Sequence, residues 1–271
     1  MKIKYKKIIL HLLTFLFLSS FIFSSYKIVN YFMEHKKIEK QLKEINNLVK
    51  INEITEDIEI LDEDNKNNPY WDYTKMNLID VDINKLKKIN NDVKGWIKVN
   101  GTNINYPFVQ SNNNSYYLNH SFDKTYNIAG WVFLDYRNNL MNSTDKNTII
   151  YAHGMKNKTM FGTLLNVLNS DWLNNKNNNI VKISTEYEDT LWQVFSVYKI
   201  PNTNDYIKID FNNTKEFKNF ISLISSRSNY NFNTNITNND RILTLSTCYD
   251  DNNKVVLHAK LIKRKVKSTL N

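Results

Sequence analysis

Lys2, Lys4, Lys6 and Lys7 stand ahead of IILHLLTFLFLSSFIFSS, eighteen residues from Ile8 to Ser25 that carry no formal charge apart from a possible one on His11. Nothing else in the chain restricts its folding as much. A helix of about 18–20 apolar residues is long enough to cross a bilayer. The lysines in front of it favour a cytoplasmic N-terminus and send the C-terminal remainder of the chain to the outside. The alternative is a cleaved signal peptide, whose apolar core is normally shorter and ends at an A-x-A-like site that is not found here. The sequence therefore predicts a cytoplasmic basic tail over 1–7 and a transmembrane signal anchor over 8–27, with the rest of the chain extracellular.

The segment MEHKKIEKQLKEINNLVKINEI places Ile38, Leu42, Ile45, Leu48 and Val49 at three- and four-residue spacing. That is one apolar stripe on an otherwise solvated helix. It predicts helix from about Val29 to Ile60 and a helical stalk or N-terminal extension over 28–68. The polar, Pro-containing stretch LDEDNKNNPYWDY, residues 61–73, marks a boundary. Beyond it, residues 69–271 read as one domain of short β-type runs: GWIKVNGTNINYPFVQ, GWVFLDYR, NTIIYAHG, IVKIST, TLWQVFSVYKI, RILTLSTC and KVVLHAKLIKR. An Asn-Gly hairpin signal sits in VNGTNINY. Many short strands in succession predict a mostly antiparallel barrel or sandwich. Two helical patches interrupt them, MFGTLLNVLNSDWL and NTKEFKNFISLISSRS. Trp96, Trp131 and Trp192 are expected in the core rather than in a site.

The formal charge of +9 admits a nucleic-acid partner. Its lysines are nevertheless spread along the chain and cluster only at the two ends, so anionic lipid or anionic cell-wall polymer accounts for the same balance and no nucleic acid is expected. One cysteine excludes an intrachain disulfide, and with five scattered histidines it leaves no zinc cluster. HExxH, GxxxxGK[ST] and GxGxxG are all missing, so neither a metal nor another cofactor is expected.

The single cysteine, Cys248, ends the apolar run ILTLSTC just before an acidic loop. A thiol there is either inert packing or a nucleophile, and a nucleophile needs a nearby base or positive charge. His153 is the best base candidate, because it directly follows the strand-like TIIYA and precedes Gly154. The reading of His153 as an ordinary turn histidine stays open on spacing alone. His11 lies in the apolar run, His35 on the stalk and His120 in a polar turn. His258 falls mid-strand in KVVLHAKL, where a structural role fits better.

At this point the residues resemble a family. TLSTC at 244–248 is similar to the TLxTC signature of sortases, the membrane-anchored cysteine transpeptidases of Gram-positive bacteria. NNNSYYLNHSF, AGWVFLDYRNN, NTIIYAHGMKNKTMFGTL and the closing KVVLHAKLIKR extend the resemblance in order over roughly residues 70–265. The Ser before Thr in TLSTC, the helix expected over Thr214–Ser228 and the helical extension resemble class B. The resemblance implies a mostly β fold, an eight-stranded barrel with N-terminal helices and a helix before the cysteine strand. It implies that Cys248 attacks the Thr carbonyl of a C-terminal sorting signal on a secreted protein, giving a thioacyl-enzyme, and that His153 moves the protons. The acceptor implied is an amine of a peptidoglycan precursor of the lipid II type. NPQTN-like signals are associated with the class, and LPxTG-like ones with other members.

One departure stands out. The family usually carries an Arg on the strand after the cysteine, and here Lys254 occupies that place. Lysine keeps the charge but not the planar fork. Three readings are open: Lys254 does the work, Arg241 at the start of the cysteine strand replaces it, or the enzyme is weakened. For substrate binding the candidates are Ser246 and Thr247 beside the nucleophile, Phe220 and Ile221 on the preceding helix, and Asn114 and Leu118 in NSYYL. Asp250 is expected to cap a turn rather than orient His153. The rival readings are a sortase-fold binding module that has stopped catalysing and a hydrolytic cysteine peptidase.

Overall fold

The computed structural model describes residues 2–61, 71–141, 145–248, 250 and 252–267. The chain divides into two compact units, Met1–Glu44 and Ile45–Asn271. Helix α1 spans Lys2–Leu48. From Tyr5 to Met33 its large apolar side chains point outward all round, with Phe15 and Phe17 each 71% exposed. An 18-residue window of this helix is long and apolar enough to cross a membrane and has no buried side chain. An apolar surface on every side suits lipid rather than water. Two of the hydroxyls in the run bond back to the helix itself: Thr14 donates to the Leu10 carbonyl at 2.8 Å and Ser19 to that of Leu16 at 3.0 Å.

The helix stops at Leu48 and does not continue towards Ile60. Ile51–Ile54 forms β1, which pairs antiparallel with β3, Leu78–Val81, and Glu59–Ile60 forms the short β2. The isoleucines at 51, 54, 58 and 60 suit a half-buried strand as readily as a helix face, and the long-range partner Leu78–Val81 decides between them. Of the expected stripe, Ile38, Ile45 and Val49 are buried, whereas Leu48 is 40% exposed. Most of the boundary expected over 61–73 lies outside the described residues.

The remaining elements are α2 (Ile83–Lys87), β4 (Val93–Val99), β5 (Asn105–Val109), β6 (Phe133–Leu134), β7 (Asn147–Tyr151), α3 (Ser170–Asn174), β8 (Ile180–Thr185), β9 (Glu188–Pro201), α4 (Thr214–Ser226), β10 (Ile242–Cys248) and β11 (Asn253–Val266). Strand order is β10-β7-β6-β5-β4-β8-β9-β11, and β11 pairs back onto β10, closing an eight-stranded barrel with β2 outside on β11. This is the expected barrel, antiparallel except for β5–β6 and β7–β10. The Asn-Gly turn joins β4 to β5. Gly101 there has φ +68°, a left-handed conformation open to glycine.

Trp96, Trp131 and Trp192 are buried in the core, as the sequence suggested. Helix α4 begins at Asn213, whose side chain accepts from the Glu216 amide at 2.9 Å. It then buries Phe217, Phe220 and Ile224 against Phe195, Tyr198, Tyr206, Ile242 and Val256. What matters for the site is that β7 and β10 run parallel, so their C-terminal ends open at the same rim of the barrel, and β11 starts from that rim.

Candidate active site

The register brings Cys248 and His153 together. Along the parallel pair, Ile242 faces Asn147 and the pairing advances residue by residue to Ser246 opposite Tyr151. Two further steps on each strand reach Cys248 and His153. The chain on either side of His153 touches the end of β10. The Thr247 hydroxyl donates to the Ala152 carbonyl at 2.8 Å, and a Cβ added at Gly154 would lie 2.3 Å from the Cys248 carbonyl oxygen. Glycine after the histidine is thus required by close backbone approach. The loop is braced further by the Phe161 amide, which donates to the His153 carbonyl at 3.0 Å.

On the other side, β11 pairs antiparallel with β10 and sets Lys254 directly opposite Cys248. Directly opposed residues share a sheet face. His153, Cys248 and Lys254 accordingly line one cavity of about 490 Å³, together with Asn114, Leu118, Ser246 and Thr247. Seven of the ten residues singled out from sequence therefore converge. Cys248 is exposed at the rim, and the His153 ring is held by its Nε2, 2.8 Å from the Leu118 carbonyl. A carbonyl only accepts, so that nitrogen carries a proton. Ser246 shares a hydrogen bond of 2.9 Å with the buried Tyr206 hydroxyl, and burial pushes the Tyr206 phenol up to about 12.

The other three lie elsewhere. Arg241 is at the opposite end of β10, where its guanidinium forks onto Glu188 at 2.7 and 3.2 Å and lies over Trp192. The seven residues of the strand set the two ends roughly 20 Å apart, so Arg241 is not the cation beside Cys248. Phe220 is 6% exposed within the core under α4, and Ile221 packs half-buried against that same core. Neither lines the cavity. Their spacing marks an apolar helix face, and that face covers the barrel. Asp250 caps its own turn, accepting from the Asn252 amide and the Asn253 side chain at 2.8 Å.

Sequence reasoning missed a group beside the cavity. Asp135, wholly buried just after β6, accepts from Nε and Nη2 of Arg137 at 2.9 and 2.8 Å, from Asn114 at 2.9 Å and from the Tyr151 hydroxyl at 2.9 Å. Burial alone would raise its pKa, but the bonds from Arg137, Tyr151 and Asn114 outweigh it and hold the carboxyl below the ordinary carboxylate range. Arg137 and Tyr151 line the cavity, as do Phe133, Asn204 and Ile207. The signal was present in FLDYR, an acid and an arginine two apart directly after a strand.

His258 is buried in the barrel, in keeping with the structural role expected of it. Tyr198 contacts its Nε2 at 2.8 Å and Thr244 its Nδ1 at 2.9 Å. Burial, aided by the charge of Arg227, pushes its pKa down to about 3.

Comparison with known proteins agrees with this geometry. A family model described as the sortase domain matches residues 97–262. Sortase B of Staphylococcus aureus is 38% identical over 182 residues, covering 66% of this chain and 73% of that protein. The crystal structure of Bacillus anthracis sortase B in complex with AAEK1 matches with a TM-score of 0.68 at 32% identity, over 86% of this chain and 99% of the other. A Staphylococcus aureus sortase B–substrate complex matches with a TM-score of 0.62 at 37% identity, over 66% and 84%.

Proposed function

The chain belongs to the sortase family, class B, and is a transpeptidase; from that premise we propose that Cys248 is its nucleophile, His153 its acid–base and Lys254 its oxyanion cation. Support comes from the register that sets all three at one rim of one cavity. The Cys248 proton passes to Nδ1 of His153, since Nε2 is occupied at the Leu118 carbonyl. Sγ bonds to the Thr carbonyl carbon of the sorting signal, and the oxyanion that forms is met by the Lys254 ammonium. The C–N bond then breaks and Nδ1 protonates the leaving amine. In the second half, an acceptor amine gives its proton to Nδ1 and attacks the thioester, and the C–S bond breaks. Asn114, Leu118, Ser246 and Thr247 line the bound signal.

The substrates are sorting-signal-bearing secreted proteins, and the acceptor is a peptidoglycan precursor amine of the lipid II type. Residues 8–27 anchor the enzyme in the cell membrane as a single pass, with the lysine-rich end cytoplasmic and the barrel extracellular. Against a non-catalytic module, Cys248 is exposed and shares one cavity with His153 and Lys254.

Product analysis tests this. The full chain in detergent is incubated with quenched NPQTN-like and LPxTG-like peptides, with and without added glycinamide. Transfer yields an amide in the presence of the amine, whereas a purely hydrolytic peptidase yields the free acid under both conditions and would overturn the assignment.

A further inference from the structure

Asp135 is 0% exposed. A carboxylate this deep needs every lone pair matched, because an unpaired buried charge costs several kcal/mol. Backbone amides would satisfy that need. Here, besides the Arg137 amide at 3.0 Å, the donors are three side chains from three separate segments: Asn114 after β5, Arg137 in the turn after β6, and Tyr151 at the end of β7. All three line the cavity that holds Cys248. Asn114 is fixed at its other end too, since its Oδ1 accepts from the Tyr136 amide at 2.9 Å. Both Nε and Nη2 of Arg137 are committed to Asp135, while its Nη1 makes no hydrogen bond to any described residue. With lysine at 254, Arg137 is the one guanidinium among the described residues lining this cavity. A planar fork held by a carboxylate keeps a fixed direction, which a lysine ammonium on its flexible stem does not.

We propose that Asp135 is a positioning residue of the cleft, locking Asn114, Arg137 and Tyr151 into one wall, and that Arg137 determines specificity by offering its free Nη1 to an oxygen of the sorting peptide. This rests on the thioacyl-transfer reading above and adds to it the group that orients the peptide before Cys248 attacks. Loss of that group weakens peptide binding and leaves the reactivity of the thiol itself alone.

The experiment uses the full chain in detergent, an NPQTN-like quenched peptide, and iodoacetamide as a probe of Cys248 that needs no peptide site. Wild type is compared with Cys248→Ala, Asp135→Asn, Arg137→Gln, Arg137→Lys, Tyr151→Phe and the Asp135→Asn/Arg137→Gln pair. Expected is a KM raised about tenfold in Asp135→Asn and in Arg137→Gln. No rescue is expected from Arg137→Lys, and a smaller rise is expected in Tyr151→Phe. Iodoacetamide rates remain at the wild-type value. The KM of the pair rises little above that of Asp135→Asn alone, because both changes remove one interaction. If Asp135→Asn does not fold, the more exposed Arg137→Gln and Tyr151→Phe still decide the matter. A KM within twofold of wild type in those two variants overturns the inference. So does a parallel loss of alkylation rate, kcat and thermal stability, which marks a purely structural role. A wild type that acylates no Cys248 contradicts the underlying reading instead.

Discussion

Strands β7, β10 and β11 carry two polar clusters, and the two differ in what their atoms have left to do. At the open end, His153, Cys248 and Lys254 surround a cavity, and neither the thiol nor the ammonium is tied to another described side chain. Deeper in the barrel, Asn147, Thr244 and His258 of these strands and Tyr198 of β9 form a continuous hydrogen-bonded chain. Thr244 donates to Asn147 at 2.8 Å and meets His258 Nδ1, and Tyr198 occupies Nε2. A histidine with both nitrogens matched and no solvent is a packing element. A histidine at a strand end, with one nitrogen held and the other free, is equipped for proton transfer. Satisfaction, rather than residue type, separates structure from chemistry here.

The sharpest way to break this contrast is at the open end. Cys248→Ala should lower peptide turnover by roughly 10⁴-fold or more without changing the melting temperature. Assays of turnover beside thermal unfolding would reveal any loss of fold instead. Next comes the packing side: Phe220→Ala should cost roughly 3–5 kcal/mol in urea unfolding, because it hollows the core under α4. Peptide KM should stay unchanged, since Phe220 does not reach the cavity. Lys254→Ala should lower kcat by roughly 10²–10³-fold, the usual loss of an oxyanion partner. Lys254→Arg should retain or raise it, and an undiminished Lys254→Ala would remove that residue from the mechanism.

The smallest effect belongs to the closed cluster. His258 is held neutral, with its pKa pushed from an ordinary 6.5 down to about 3. The unfolded chain takes up a proton near 6.5 where the folded one refuses it. The stability tied to His258 is therefore fully present above that pH and is lost as pH falls towards 3. By pH 5 the loss should reach roughly 2 kcal/mol. His258→Gln, which takes up no proton, should flatten the acid limb of stability against pH relative to wild type.

Much of this was legible beforehand, for local reasons. ILTLSTC and NTIIYAH both end apolar runs with a reactive residue, and the chain cannot end two parallel neighbours that way without bringing Cys248 and His153 to one rim. Lys254 came from the family resemblance, in which it takes the place of the usual Arg on the next strand. The failures were long-range. Helical spacing says that Phe220 and Ile221 share a face, but not that the face meets the barrel rather than the cleft. Residues 51–54 and 59–60 became strands because Leu78–Val81 and β11 offered partners, which no local window displays. Arg241 looked near because it shares a strand with Cys248, yet a strand is an extended object and its two ends are far apart. Asp135 and Arg137 escaped because their meaning lies in Asn114 and Tyr151, which join them only through the fold.

The most direct test of the central claim is the mass of the intact full chain, in detergent, after incubation with an NPQTN-like peptide in the absence of any amine. The account predicts one acyl adduct with the mass of the N-terminal peptide fragment, mapped to Cys248, discharged on adding glycinamide and missing from Cys248→Ala. Peptide cleavage that leaves Cys248 unmodified, or that continues in Cys248→Ala, would contradict it.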